Sequence, residues 1–248
     1  FWDNPVKANA AADWFNQLQV PKRAILGSWE HIWALRADEQ LRLLAWMDHW
    51  LKGRDTGIMD TPVVEVLTNT RLHRADTEWP TSRATPVEVP LPGGSYLAPV
   101  ASLAVSSEPY PDGLYVTGVP TLAFRASLPA GGNAYFHAEL FEETPGGERT
   151  LVIMGWLNAA LKDGHTTYAP LAPGEARDLE MRLLPIDHVV QPGNKLTLVL
   201  RSVRADDAYG TPEGAVVAQP GLVQVAGGAL RLPTLPMDEL SPAPRSAS

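Results

Sequence analysis

Residues Ile25 to Trp33 read "ILGSWEHIW", an aliphatic run closed by Gly27 and followed at once by Ser28, Trp29, Glu30 and His31. Joined to Arg23 and Ala24, the run is short, apolar and glycine-terminated, as a buried strand would be. Upstream, "VKANAAADWFNQL" (Val6 to Leu18) places Ala10, Ala11, Trp14, Phe15 and Leu18 at helical spacing, and Pro21 marks a turn. Downstream, Asp38 is suited to cap a second helix, "DEQLRLLAWMDHWLKG", which carries Leu41, Leu44, Ala45 and Leu51 toward one side and stops at Gly53. Helix, strand, loop, helix is the local grammar of a parallel α/β sheet. In such sheets, active sites gather in the loops at the carboxyl ends of the strands. His31 stands in one of those loops.

After "GRDTGIMDTP" the grammar changes. "TLAFRASL" alternates Leu122, Phe124, Ala126 and Leu128 against Thr121, Ala123, Arg125 and Ser127. "YFHAEL" sets Phe136, Ala138 and Leu140 on one face, with Tyr135, His137 and Glu139 opposite. "DLEMRLL" and "KLTLVLRSV" repeat the pattern, and Pro145-Gly146-Gly147, Pro173-Gly174 and Pro192-Gly193 separate the segments. Period-two strands punctuated by Gly and Pro predict an antiparallel β-sandwich or jelly roll. The change of pattern divides the chain into 1–58, 59–235 and a Pro/Ser/Ala-rich tail, 236–248, expected to fray.

Composition narrows the function. The 248 residues suffice for one large domain or two smaller ones, and 45% hydrophobic against 19% charged is globular rather than disordered. A net charge of -8 without a Lys/Arg cluster disfavours nucleic acid as a partner. No apolar run approaches the ~18 residues of a membrane span, so a soluble protein is expected; the compartment is not fixed by the sequence, with the cytoplasm favoured over secretion. With no Cys, disulfides, thiolate zinc sites and a Cys nucleophile are excluded. The chain opens on Phe1 without a signal-like run and reads as a piece of a longer protein.

A catalytic histidine needs an acid to fix its tautomer and stabilise the imidazolium. Near His31 the candidates are Asp3, Asp13, Glu30 and Asp38. Asp13 falls inside the first helix, Glu30 adjoins His31 too closely to bond the same ring, and Asp38 is explained as a cap. Asp3 stands just before the first helix, in a neighbouring loop of the same sheet edge. In α/β-hydrolases the triad runs Ser, then Asp or Glu, then His along the chain. Asp3 before His31 obeys that order and puts the nucleophile ahead of Phe1. The internal imitation "GGSYL" (Gly93 to Leu97) lacks the second Gly of the G-x-S-x-G elbow and follows the histidine. A structural role for His31 beside its aromatic neighbours is the plain alternative.

The other candidates carry less. His49 sits in the second helix beside Asp48 and Trp50, where packing explains it. His73, His137, His165 and His188 show no metal-ligand spacing, so no metal and no cofactor is expected. Asp206 and Asp207 suit a solvated turn better than a calcium site, and Trp79 and Trp156 read as core or sandwich-edge aromatics.

"WDNPVKANAAADWFNQL" resembles the "D-x-N-V" segment and following helix that carry the catalytic Asp in the Xaa-Pro dipeptidyl-peptidase family. That family is related to bacterial cocaine esterase and the α-amino-acid ester hydrolases. "ILGSWEH" is similar to their "L-G-P-W-x-H" segment, with Ser28 where Pro is usual, and "WMDHWLKGRDTGI" resembles the helix that follows. Pro5 gives "D-N-P-V" in place of the usual order. "VVEVLTNTRLHRADTEWP", "GVPTLAFRASL", "GWLNAALKDG" and "IDHVVQPGNKLTLVLRS" resemble strands of the family's C-terminal jelly-roll domain. The resemblance covers nearly all of residues 1–235.

The resemblance implies a mostly β chain: a jelly-roll β-sandwich preceded by the last strand and helices of an α/β-hydrolase domain. It further implies a serine hydrolase of peptide, amide or ester bonds, most like a dipeptidyl-peptidase. Asp3 would orient His31, and His31 would serve an upstream Ser as general base. Trp29 would wall an acyl pocket with Trp33 or pack under the jelly roll, and Glu30 would meet a substrate amine or lie solvated. The partners expected are the upstream segment carrying that Ser, as part of the same precursor or a second chain, and a small peptide or ester. A homo-oligomer is compatible with this reading. The competing readings are an esterase of the cocaine-esterase type and a non-catalytic, carbohydrate-binding jelly roll.

Overall fold

A computed structural model describes residues 9–27, 37–164, 166–202 and 220–242. The chain forms two compact units, one of residues 1–83 and 236–248, the other of residues 84–235.

The first unit begins with α1 (Asn9–Gln17), β1 (Ala24–Gly27) and α2 (Ala37–Lys52). β2 (Val64–Leu67) then pairs in parallel with β1, with Leu26 opposite Val66. β3 (Leu72–Asp76) returns antiparallel to β2. A parallel pair cannot be closed by a tight turn, and the connection between β1 and β2 contains α2, as a β–α–β crossover requires. α2 runs to Lys52, next to Gly53 at φ 63, where the sequence stops it. Val64 and Val66 are fully buried on one face of β2, while Glu65 faces α2 and takes a hydrogen bond from Arg42 at 2.9 Å.

The unit boundary differs from the change of sequence pattern at residue 59. β2 and β3 look like strands of the sandwich, yet they extend the sheet begun by β1. Alternation reveals a strand and not its partner. The stretch after Leu235 returns to the first unit. Within its described part, residues 236–242, Met237–Glu239 form a 3-10 turn and β15 (Ser241–Pro242) pairs with β3, while 243–248 lie outside the described residues. Arg83 binds Glu239 at 2.5 Å and Asp76 at 3.1 Å, which anchors this returning segment.

The second unit is all antiparallel. β11 (Ala176–Arg182), β8 (Thr121–Ser127), β14 (Gly221–Leu235), β7 (Leu114–Gly118) and β12 (Ile186–Val190) form one sheet in that order. β4 (Thr85–Leu91) and β5 (Gly94–Ala98) add to β14. The other sheet runs β10 (Arg149–Asn158), β9 (Tyr135–Glu143), β13 (Lys195–Arg201) and β6 (Ser102–Ser106). One core fills the space between them, with Leu122, Phe124 and Ala126 of β8 facing Phe136, Ala138 and Leu140 of β9. The chain is thus mostly β, with a β-sandwich as its larger unit. β9 is buried on both faces, since His137 and Glu139 are buried along with the apolar set. Glu139 meets Arg201 at 2.9 Å, which compensates a charge that would otherwise be costly to bury.

Candidate functional site

β1 is the element that positions the expected site. It is parallel to β2 and ends at Gly27, one residue before Ser28. Asp3, Trp29, Glu30 and His31, with Trp33 and Asp38, lie outside the described residues or have side chains that do. Asp206, Asp207 and His165 lie outside them too.

The flanks of β1 are held by cations. Lys22 donates to the carbonyls of Phe15 and Leu18, at 2.5 and 3.0 Å, and sits 4.6 Å from the centre of the Phe15 ring. It thereby occupies acceptors at the carboxyl end of α1, where backbone oxygens lack helical partners and a positive charge is favourable. Arg23 reaches the Met59 carbonyl at 2.5 Å and the Thr61 hydroxyl at 3.4 Å, tying the start of β1 to the segment before β2. Sequence reasoning passed over a second cluster. Glu65 joins Arg42 of α2 to His73 of β3, whose Nε2 lies 3.5 Å from the carboxylate. The available signal was a Glu in the apolar run "VVEVL".

The remaining histidines are accounted for by packing and pairing. His49 of α2 has Nδ1 3.2 Å from the Arg54 carbonyl and stands edge-on to Trp50. The His137 ring meets Trp156 at 6.0 Å between centres. His188 Nε2 lies 2.7 Å from Glu142, a buried pair within the sandwich. Glu142 also accepts from Asn194 at 2.7 Å and from the Gln191 N–H at 2.8 Å. Burial pushes its carboxyl upward, but these hydrogen bonds prevail and hold it below the ordinary range. Ser95 lies within β5 opposite Gln224 of β14, exposed, and not at the strand-to-helix turn that a nucleophile elbow needs. Among the described residues no group of three or more His, Asp or Glu could hold a metal ion. No described helix is long and apolar enough to cross a membrane.

Comparison with known proteins follows the same lines. Residues 95–213 match the X-Pro dipeptidyl-peptidase C-terminal non-catalytic domain. No curated protein matches the chain. Among solved structures, the fold is similar to a CocE/NonD family hydrolase from Staphylococcus aureus, with TM-score 0.81 and 14% identity over 94% of this chain and 52% of that one. An aminopeptidase from a marine sediment Thaumarchaeota archaeon matches with TM-score 0.68 and 14% identity, over 87% of this chain and 49% of that one. An α-amino acid ester hydrolase matches with TM-score 0.68 and 15% identity, over 92% and 52%. The chain therefore spans about half the length of the structures it resembles. Residues 95–213 thus match the X-Pro dipeptidyl-peptidase C-terminal non-catalytic domain, and the fold of the chain is similar to a part of a CocE/NonD family hydrolase and of an α-amino acid ester hydrolase.

Proposed function

We propose that this chain supplies the acid and the base of a serine hydrolase whose nucleophile lies in a segment ahead of Phe1. The observation that carries the reading is the parallel pair β1–β2, joined through α2, with His31 four residues beyond the carboxyl end of β1. A sandwich that only binds has no need of a parallel strand leading into "GSWEH". Asp3 orients the His31 ring and stabilises its protonated form. His31 takes the proton of the serine as its oxygen attacks the carbonyl carbon, then returns it to the departing amine or alcohol. Water repeats the sequence on the acyl-enzyme and frees the acid. Trp29 and Glu30 immediately precede this base in the sequence, and in this reading Trp29 walls the acyl side and Glu30 meets a free amine. The substrates are small peptides, amides or esters, with a dipeptidyl-peptidase specificity favoured by "D-N-P-V" and "GSWEH".

A fluorophosphonate probe tests this. In protein containing the upstream segment, the probe is expected on one serine of that segment, and His31→Ala is expected to abolish labelling. Labelling that survives His31→Ala refutes the assignment.

A further inference from the structure

The hairpin between β2 and β3 is closed by a residue type that its backbone disfavours. The Thr68 N–H donates to the Leu72 carbonyl at 2.9 Å and the Arg71 N–H to the Thr68 carbonyl at 3.0 Å, so Asn69, Thr70 and Arg71 form a three-residue loop. The last residue of such a loop turns left-handed and is ordinarily glycine. Here it is Arg71, at φ 62, and among the described residues no other non-glycine residue has a positive φ. That conformation brings Cβ close to the following carbonyl oxygen, a strain that glycine would relieve. Strain of this kind gathers at active sites and ligand clamps.

The charge of Arg71 is a second observation. Arg71 is exposed, and among the described residues its guanidinium has no hydrogen bond or ion pair. Every other described Lys and Arg has a partner, as Arg42 has Glu65, Arg74 has Asp76 and Arg83 has Glu239. In a chain of net charge -8, carboxylates are not in short supply. Position is the third. Gly27 lies opposite Leu67, so β1 and β2 end at one level, and the chain continues from the first into "SWEH" and from the second into the loop that ends at Arg71. In open α/β sheets, ligands bind outside the carboxyl ends of the strands. A guanidinium is a planar fork of donors that matches a carboxylate.

We propose that Arg71 binds a carboxylate of the substrate at this edge, so that the hydrolase selects anionic peptides or esters over their neutral counterparts. Arg71 is then a specificity-determining residue, and the strained turn holds its cation beside the loop that leads to His31. The assignment rests on the hydrolase reading only for the ligand's being a substrate.

The test uses protein containing the upstream segment and reads binding apart from turnover. N-acetylalanine, a carboxylate, and its neutral amide are titrated while the Arg71 Nε–H resonance is followed by NMR. The carboxylate is expected to move that resonance saturably and the amide to leave it in place. A resonance that neither compound moves overturns the proposal. For turnover, Gly-Pro-Ala is expected to be cleaved in preference to Gly-Pro-Ala amide when the carboxylate belongs to the departing residue. Glu-Pro-Ala amide is expected to be preferred over Gln-Pro-Ala amide when it belongs to the acyl part. Arg71→Gln should raise KM for the preferred acid by about tenfold, through KM rather than kcat, and Arg71→Lys should restore part of the preference. Arg71→Gly, which suits the left-handed turn, should lose the preference without a lower melting temperature, so the loss is not one of folding. Equal cleavage of acid and amide in both pairs overturns the proposal and leaves the hydrolase reading intact. A saturable shift in protein that takes no fluorophosphonate label keeps the carboxylate site and refutes the hydrolase reading. Where label is taken but none of the peptides is cleaved, the resonance decides.

Discussion

Glu142 of β9 and His188 of β12 meet at 2.7 Å across the two sheets of the sandwich, although 46 residues separate them. The same carboxylate takes the Asn194 side chain and the Gln191 N–H, so it also fixes the turn that leads into β13. Glu142→Ala removes the acceptor for three donors in a buried place. We expect a loss of about 3 kcal/mol or more at neutral pH, measured by urea unfolding. The folded carboxyl titrates below its unfolded value. Its contribution is therefore full above the ordinary carboxylate range and fades as pH falls through the lowered value. The gap between parent and variant should shrink below about pH 4.

Glu143, the next residue, points to the other face of β9. There it accepts from Lys195 at 3.0 Å, Thr197 at 2.9 Å and Arg149 at 2.7 Å. The bond from Lys195, then those from Thr197 and Arg149, hold its carboxyl down at about 2. Carbon-13 titration of this carboxyl should show no inflection between pH 7 and about pH 3, and Lys195→Met should move the inflection upward. An inflection near 4 in the parent protein would refute the pairing. The stabilisation from these bonds is present above the unfolded carboxyl's range and is lost as pH falls toward 2.

Gly228 of β14 runs against β8 so closely that a methyl group there would lie 2.1 Å from the Ala123 carbonyl oxygen and 2.7 Å from Phe124 Cα. Both are backbone atoms that cannot rotate away. Gly228→Ala is expected to cost at least about 2 kcal/mol, whereas Gly221→Ala, with nothing within 4 Å of the added carbon, should be nearly neutral. Thermal melting of the two variants side by side checks this.

Phe124 of β8 and Phe136 of β9 cross edge to face with ring centres 4.9 Å apart, in the core between the sheets. Phe136→Ala should destabilise the sandwich by about 3–5 kcal/mol, with a much smaller loss for Phe136→Leu. Equilibrium unfolding followed by a sandwich-localised probe distinguishes the two.

For the proposed chemistry, Asp3→Asn in protein containing the upstream segment should lower kcat by about 10⁴-fold and leave KM nearly unchanged. The variant keeps the shape of the carboxyl group but presents an amide to His31, which then holds the wrong tautomer. Steady-state hydrolysis of a small ester or amide reads the effect. A kcat within tenfold of the parent would remove Asp3 from the triad.

Local grammar is legible in the order of residues alone. The alternation in "TLAFRASL" places Leu122, Phe124, Ala126 and Leu128 inward, and all four are buried. Pro173-Gly174 and Pro192-Gly193 are turns, with Gly174 at φ 72 and Gly193 at φ 82. These features depend on a few consecutive residues, whose side-chain period and backbone sterics act without help from the rest of the chain. The exposed apolar side of α2 is only partly legible: Ala45, read with Leu41, Leu44 and Leu51, is half-buried, and Leu43, Met47 and Trp50 join the exposed set. Leu41, Leu44 and Leu51 read as the buried side and stand exposed, because burial needs a second surface and none of the described residues provides it.

Pairing belongs to the folded chain. Nothing in "VVEVL" says that it lies parallel to "AILG", or that Arg42 will reach its Glu65. Nothing in "MDELSP" says that Glu239 will return to Arg83, 156 residues earlier. Which segments become helix, strand or turn follows from the amino-acid order. Which strands share a sheet, which charges are paired, and which apolar face is left open are settled only on folding. Those choices are made between residues far apart in the chain, and their free energy exists only once both partners are in place.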